Sequence, residues 1–194
     1  MLIGLMGKSG SGKSLVSRLF KEKTSDIQII DVDKIGHDSH NDPIVKSKLE
    51  IYFGKEIFNE DFTVNRKKLA SIVFSDKSKM ELLYLATYEY MVRRIDQLIL
   101  KSNITILDYA LLPLTKYYAM CDVKILVEAD KTSREKRVML RDNISKESYI
   151  ARDSNSVDYI SYSFDYVIYN NKDIETLRKV VGEIYEKSIV SWKF

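Results

Sequence analysis

The chain has 194 residues, of which 45% are apolar and 30% are charged, and it carries a formal net charge of +3. This length fits one domain with an inserted subdomain, and the composition is that of an ordinary globular protein. The charge is too small to indicate a nucleic-acid groove, and no run approaches the ~20 apolar residues of a membrane span. We therefore expect neither nucleic acid nor membrane as a partner, and a monomer or weak oligomer.

A single cysteine, Cys121, excludes an internal disulfide and fits a reducing compartment. Because it precedes the apolar run VKILV, it is expected to be a small buried hydrophobe and not a nucleophile. The first residues lack the basic start and the cleavage site of a signal peptide. These features predict a cytoplasmic protein.

Apolar runs and helical periodicity alternate along the chain. A strand is predicted at 2–6, and the helix after it places Val16, Leu19 and Phe20 on one face. This alternation indicates an α/β fold with a five-stranded parallel sheet flanked by helices. The other strands are predicted at 27–30, 104–108, 123–129 and 165–170, and helical segments at 43–101, 130–142 and 174–190, with a polar stretch at 143–159.

The stretch GKSGSGKS at residues 7–14 follows the first strand directly and fits G-x-x-x-x-G-K-[ST]. Gly10 and Gly12 let backbone N–H groups converge on phosphate oxygens, and the helix that follows directs its positive end at them. The Lys13 ammonium would bridge the β- and γ-phosphates, and the Ser14 hydroxyl would ligate Mg²⁺. A nucleoside triphosphate with Mg²⁺ is therefore the predicted ligand.

Such a loop serves small-molecule kinases, GTPase switches and ATPase modules that work on macromolecules. A GTPase is disfavoured because Ile174 stands where the guanine-reading Asp of N-K-x-D belongs. Its other motif, D-x-x-G at 33–36, comes only 20 residues after Lys13, which leaves no room for a switch segment. A kinase explains Asp33 better, because an Asp ending the strand next to the cradle can accept a proton from an acceptor hydroxyl.

Other polar residues are candidates with alternatives. Asp31, two residues before Asp33, is expected to be structural or a cap, although the reverse assignment stays open. Asp108 would hold Mg²⁺ through water, touch the acceptor or cap a helix. Arg141 is expected on a closing lid, where it neutralises the transferred charge. Arg137, four residues earlier, is expected on a solvated face.

His37 and His40 form H-x-x-H, but the sequence offers no third ligand. We therefore favour His37 as a pocket residue over a metal site.

Six segments resemble the dephospho-CoA kinase family in order and spacing. They are GSGKS, DVDKIGH, FGKEIFNEDFTVNRKKLASIVFSD, ILDYALL, LRD and DYVIYNN, and the third is the most telling. The resemblance implies an α/β P-loop kinase that passes the ATP γ-phosphate to the ribose 3′-hydroxyl of dephospho-CoA. It implies a core (about 1–33, 102–130 and 160–194), a helical CoA-side subdomain (about 34–101) and a small lid (about 131–159).

The resemblance also assigns residues. Asp33 would be the base, Lys13 and Arg141 would act on the transferred phosphate, and His37 and Asp108 would join Asp33 on the acceptor side. Asn170 lies where the family places a residue close to adenine. The nucleotide-binding set is Gly10, Ser11, Gly12, Lys13, Ser14 and Leu15 with Asn170.

The chain departs from the family pattern on the acceptor side. Tyr88-Glu89 replaces His-Pro, Ala110 replaces the Pro of D-x-P-L-L, and Ser154 corresponds to the Gln of the lid. In the loop, Leu15 lacks a hydroxyl that could reach the α-phosphate. The alternatives are a kinase for another small hydroxyl substrate and a catalytically weak nucleotide-binding module.

Overall fold

The computed structural model describes residues 1–73 and 76–193. Residues 74 and 75, which belong to the segment that carries the resemblance, lie outside the described residues, as does residue 194 of the expected core. The chain divides into two compact units. We call them the P-loop unit (residues 1–31 and from 99 onward) and the helical unit (Val32–Leu98).

The P-loop unit contains a five-stranded parallel sheet, as predicted, and its strand order is β2-β3-β1-β4-β5. Its described strands are β1 (Leu2–Met6), β2 (Ile27–Asp31), β3 (Ile104–Asp108), β4 (Val123–Glu128) and β5 (Tyr166–Tyr169). The described helices of the chain are α1 (Lys13–Lys21), α2 (Val32–Ser39), α3 (Pro43–Phe53), α4 (Arg66–Val73), α5 (Lys77–Ile99), α6 (Tyr117–Met120), α7 (Lys131–Asp142), α8 (Lys146–Ser154) and α9 (Ile174–Tyr185).

The sheet order corrects one expectation. Strand β3 lies between β1 and β2, so the strand next to the cradle ends in Asp108, not in Asp31 or Asp33. Strand β2 ends at Asp31 and α2 begins at the next residue, so Asp33 lies in a helix and not at the end of a strand. Asp33 was wrongly expected at a strand end because the strand and the helix adjoin here without a loop.

The core of the P-loop unit contains the predicted apolar face of α1. Val16, Leu19 and Phe20 are buried in one cluster with strand residues and with Leu177 and Val181 of α9. Each such side chain contributes about 2–3 kcal/mol when fully buried. Cys121 is also buried, as predicted.

Helix α8 lies in a stretch that the sequence analysis treated only as polar. The Ser145 hydroxyl caps it by accepting from the N–H of Ser148 at 3.3 Å, which is a recognisable start signal. Arg134 of α7 and Asp153 of α8 form a buried ion pair at 2.5 Å. The pair joins the two helices of the expected lid.

The helical unit has its own apolar core. Helix α3 begins where the Asp42 carboxylate accepts from the N–H groups of Ile44 and Val45, with Pro43 as the first helical residue. The buried side chains of this core are Val45, Leu49, Phe53, Ile57, Leu69, Val73 and Ala86. None of the described helices in either unit combines the length and apolarity that a membrane span requires.

Candidate active site

The phosphate cradle lies between β1 and α1, as predicted. Gly10 and Gly12 have φ of 80° and 102°, in the left-handed region that favours glycine. A Cβ on Gly12 would lie 2.1 Å from Nδ2 of Asn170, and a Cβ on Gly10 would lie 2.7 Å from the Arg134 carbonyl oxygen. The backbone path and its surroundings therefore both require glycine at these two positions.

The polar groups of the cradle fit a triphosphate. The Lys13 ammonium donates to the Gly7 carbonyl at 2.9 Å and is therefore held against the loop. The Ser11 hydroxyl is buried and, within the described residues, has no hydrogen-bond partner. A cation, an orphaned hydroxyl and the N-terminus of α1 converge here, which is the donor set that phosphate oxygens require.

Ser14 and Asp108 supply the oxygen chemistry that Mg²⁺ requires. The Ser14 hydroxyl lies 3.5 Å from Oδ2 of Asp108, a carboxylate that is 7% exposed at the end of β3. Hydroxyl and carboxylate oxygens are the ligands this hard cation prefers. The helix-cap alternative for Asp108 is wrong, because the next helical turn begins only at Leu112.

Leu15 contributes differently from its neighbours. Its side chain packs against the core of the P-loop unit, and its N–H donates to the Gly12 carbonyl at 3.0 Å. A contact of this side chain with the nucleotide is therefore not supported.

Two arginines of α7 reach the cradle. Arg137 is exposed, as expected, but its guanidinium also donates to the carbonyls of Gly10 and Asn170, both at 3.1 Å. Arg141 donates to Asp142 at 2.7 Å and to the Ser9 hydroxyl at 3.3 Å. Sequence reasoning missed Arg137 because its partners are backbone carbonyls 127 and 33 residues away.

Asn170 is buried at the end of β5. Its Nδ2 donates to the Ser11 carbonyl at 2.8 Å, and its own N–H donates to the Glu128 carbonyl at 2.7 Å. The side chain thus binds the cradle backbone. The contact with adenine that the resemblance implies stays a prediction.

The remaining candidates belong to the helical unit. Asp33 is the second residue of α2 and is exposed, and His37 is exposed in the last turn of the same helix. These positions leave both side chains accessible to a ligand. Their roles as base and acceptor-binding residue stay predictions.

His40 is the buried histidine of H-x-x-H and is 8% exposed. Burial, together with the neighbouring His37 and Arg66, lowers the pKa of His40 to about 4. Within residues 1–73 and 76–193 no group of three or more His, Cys, Asp or Glu side chains could hold a metal ion. The His40 ring is therefore neutral at pH 7, close to Arg66.

Comparison with known proteins identifies the family. The family model described as dephospho-CoA kinase matches residues 1–175. A protein named dephospho-CoA kinase from Listeria innocua is 31% identical over 96% of both chains. Among solved structures, TT1252 from Thermus thermophilus aligns over 97% of both chains with a TM-score of 0.79 and 22% identity.

The dephospho-CoA kinase from Campylobacter jejuni aligns over 96% of both chains with a TM-score of 0.58 and 20% identity. These two structures support the fold, and the family model together with the relative at 31% identity supports the family. The chain has the P-loop kinase fold and belongs to the dephospho-CoA kinase family.

Proposed function

We propose that this protein transfers the γ-phosphate of ATP to the ribose 3′-hydroxyl of dephospho-CoA, the last step of coenzyme A synthesis. The observation that carries the proposal is the family match over residues 1–175, which include the whole cradle, Asp33 and Asn170. The geometry of the cradle supports the proposal. The loop glycines adopt positive φ, and the Lys13 ammonium lies against the loop, close to Ser14 in the chain, as expected of a triphosphate-binding loop.

Each residue has a distinct part in the proposed reaction. The ammonium of Lys13 moves from the Gly7 carbonyl to the phosphate oxygens and offsets their charge during transfer. The Asp33 carboxylate accepts the proton of the 3′-hydroxyl, which makes the oxygen a better nucleophile. Arg141, next to Ser9 of the loop, adds positive charge as the lid excludes water.

Mg²⁺ would be held by the Ser14 hydroxyl, with Asp108 nearby, and when bound it would neutralise charge on the β- and γ-phosphates. The Arg137 guanidinium donates a hydrogen bond to the Gly10 carbonyl of the loop. It thereby helps to orient the backbone N–H groups that bind the nucleotide.

We further propose that the protein acts in the cytoplasm, as a monomer or weak oligomer and without a nucleic-acid partner. A single, buried cysteine fits a reducing compartment. A net charge of +3 gives no electrostatic support for nucleic-acid binding.

The test is a reaction of the purified protein with Mg-ATP and dephospho-CoA, followed by mass detection of CoA. CoA should form, and a parallel reaction that starts from CoA should give no further phosphorylation, because its 3′-oxygen is already esterified. A Lys13→Ala variant should form CoA at least a hundredfold more slowly. If calorimetry shows that Mg-ATP binds while no CoA forms, the proposed acceptor is wrong. The protein would then be a kinase for another small hydroxyl substrate or a non-catalytic nucleotide-binding module.

A further inference from the structure

The hydroxyl of Tyr159 joins two separate parts of the P-loop unit. Tyr159 lies between α8 and β5 and is 8% exposed. Its Oη accepts from the N–H of Gly7 at 3.1 Å and donates to the carbonyl oxygen of Ala110 at 2.7 Å. The ring is held edge-on by Phe164, with ring centroids 6.0 Å apart.

Gly7 and Ala110 each lie directly beside a group of the candidate site. The Gly7 carbonyl accepts from the Lys13 ammonium at 2.9 Å. Ala110 comes two residues after Asp108, whose carboxylate is 3.5 Å from the Ser14 hydroxyl. The Tyr159 hydroxyl therefore contacts the backbone of two segments. One contains Gly7, which binds Lys13, and the other contains Asp108.

Backbone pairing of the sheet ends just before this point. The N–H of Tyr109 donates to the Leu5 carbonyl at 3.1 Å, directly after Leu5 and Asp108, the last paired residues of β1 and β3. Beyond it, Tyr159 supplies the link between Gly7 and Ala110. A buried backbone N–H or carbonyl without a partner is unfavourable, so the hydroxyl favours one arrangement of the two segments.

The backbone at Gly7 makes this link specific. Its φ is 148°, and a Cβ there would lie 2.3 Å from the Val127 carbonyl oxygen, so this conformation requires glycine. The hydroxyl is thus bonded to a closely enclosed glycine of the loop. The N–H that Tyr159 binds and the carbonyl that holds Lys13 lie on either side of the Cα of Gly7, so a displacement of this residue would move that carbonyl.

We propose that Tyr159 is a positioning residue that fixes Lys13 and Asp108 relative to each other through the backbone of Gly7 and Ala110. The inference rests on the proposed function in so far as Lys13 acts on the transferred phosphate. Tyr159 touches neither substrate in this scheme. Its effect belongs to the transfer step, because α1 and the loop N–H groups bind the ground-state nucleotide without it.

The test compares Tyr159→Phe with Tyr118→Phe. Tyr118 offers a matched control, because its hydroxyl also bridges a backbone carbonyl and a backbone N–H, both of Ser163. We expect Tyr159→Phe to lower kcat about tenfold while KM for ATP and for the acceptor changes less than threefold. Tyr118→Phe should change kcat less than twofold. Equal losses of kcat in the two variants would reduce Tyr159 to a structural role and overturn the inference.

Hydrogen exchange of the Gly7 amide gives a readout that needs no acceptor. It should be protected in the wild-type protein, exchange at least tenfold faster in Tyr159→Phe, and be unchanged in Tyr118→Phe. An unprotected Gly7 amide in the wild-type protein overturns the inference even if Tyr159→Phe does not fold. Failure of the wild-type protein to make CoA, with Gly7 protected through Tyr159, contradicts the proposed acceptor and leaves the Tyr159 link supported.

Discussion

The two units hold their candidate site residues in different ways. In the P-loop unit the polar side chains are bonded to backbone carbonyls, as Lys13 is to Gly7, Arg137 to Gly10 and Asn170 to Ser11. In the helical unit, Asp33 and His37 are exposed on one short helix. The phosphate end is therefore preorganised by backbone contacts, and under the proposed function the acceptor end would act through individual side chains.

This comparison can be tested first at Asp33. Asp33→Asn should lower kcat by about 10²–10⁴, because the amide cannot accept the hydroxyl proton. The affinity for Mg-ATP, measured by calorimetry, should change less than about twofold, since the cradle supplies nucleotide binding. Asp31→Asn is the matched control, because Asp31 is also exposed and ends β2. A larger loss of kcat in the Asp31 variant would reassign the base.

Glycine substitutions compare the units at the level of the backbone. Gly12→Ala should weaken Mg-ATP binding by roughly 10- to 100-fold, because φ is 102° and the new methyl would lie 2.1 Å from Asn170 Nδ2. Gly36→Ala places a methyl 3.7 Å from the nearest atom, Sδ of Met91, which is ordinary contact. Since Gly36 lies in α2, that change should stabilise the protein by about 0.5–1 kcal/mol. Equal effects of the two changes on ATP affinity would contradict a rigid cradle.

His40 makes the helical unit sensitive to pH. Its pKa is about 4 in the folded protein against 6.5 for an ordinary histidine, so the unfolded chain binds more protons between these values. Its contribution to stability is complete above pH 6.5 and is lost as the pH falls toward 4. In urea unfolding, the wild-type protein should lose about 2 kcal/mol more than His40→Gln between pH 7 and pH 5. Parallel losses in the two proteins would show that His40 has the same pKa in the folded and the unfolded protein.

The sequence predicted the parts of the molecule that local rules determine. Five strands, the buried face of α1 and the cradle follow from hydrophobic periodicity and from glycine spacing. Arg137 and Tyr159 could not be found in this way, because their partners are backbone groups far away in the chain. The strand order was also out of reach, since nothing in IQIID distinguishes a neighbour of β1 from an edge strand.

The smallest expected effect concerns a strained turn of the helical unit. Phe62 has φ of 58° and is 73% exposed, and a side chain in this left-handed conformation is unfavourable by about 1–2 kcal/mol. Phe62→Gly removes that strain but adds backbone freedom to the unfolded chain. We expect a net gain of roughly 0.5–1 kcal/mol, seen as an increase of about 1–4 °C in the thermal midpoint.

Asn143 provides the matched position in the P-loop unit, because it ends α7 with φ of 49°. Asparagine tolerates this conformation, so Asn143→Gly should change the free energy of unfolding by only a few tenths of a kcal/mol. A gain at Asn143 as large as that at Phe62 would show that the left-handed φ itself is the unfavourable feature. A gain in the free energy of unfolding at Phe62 alone would instead assign the strain to the bulky side chain. The turn between α3 and α4 would then be less stable than the end of α7 at Asn143.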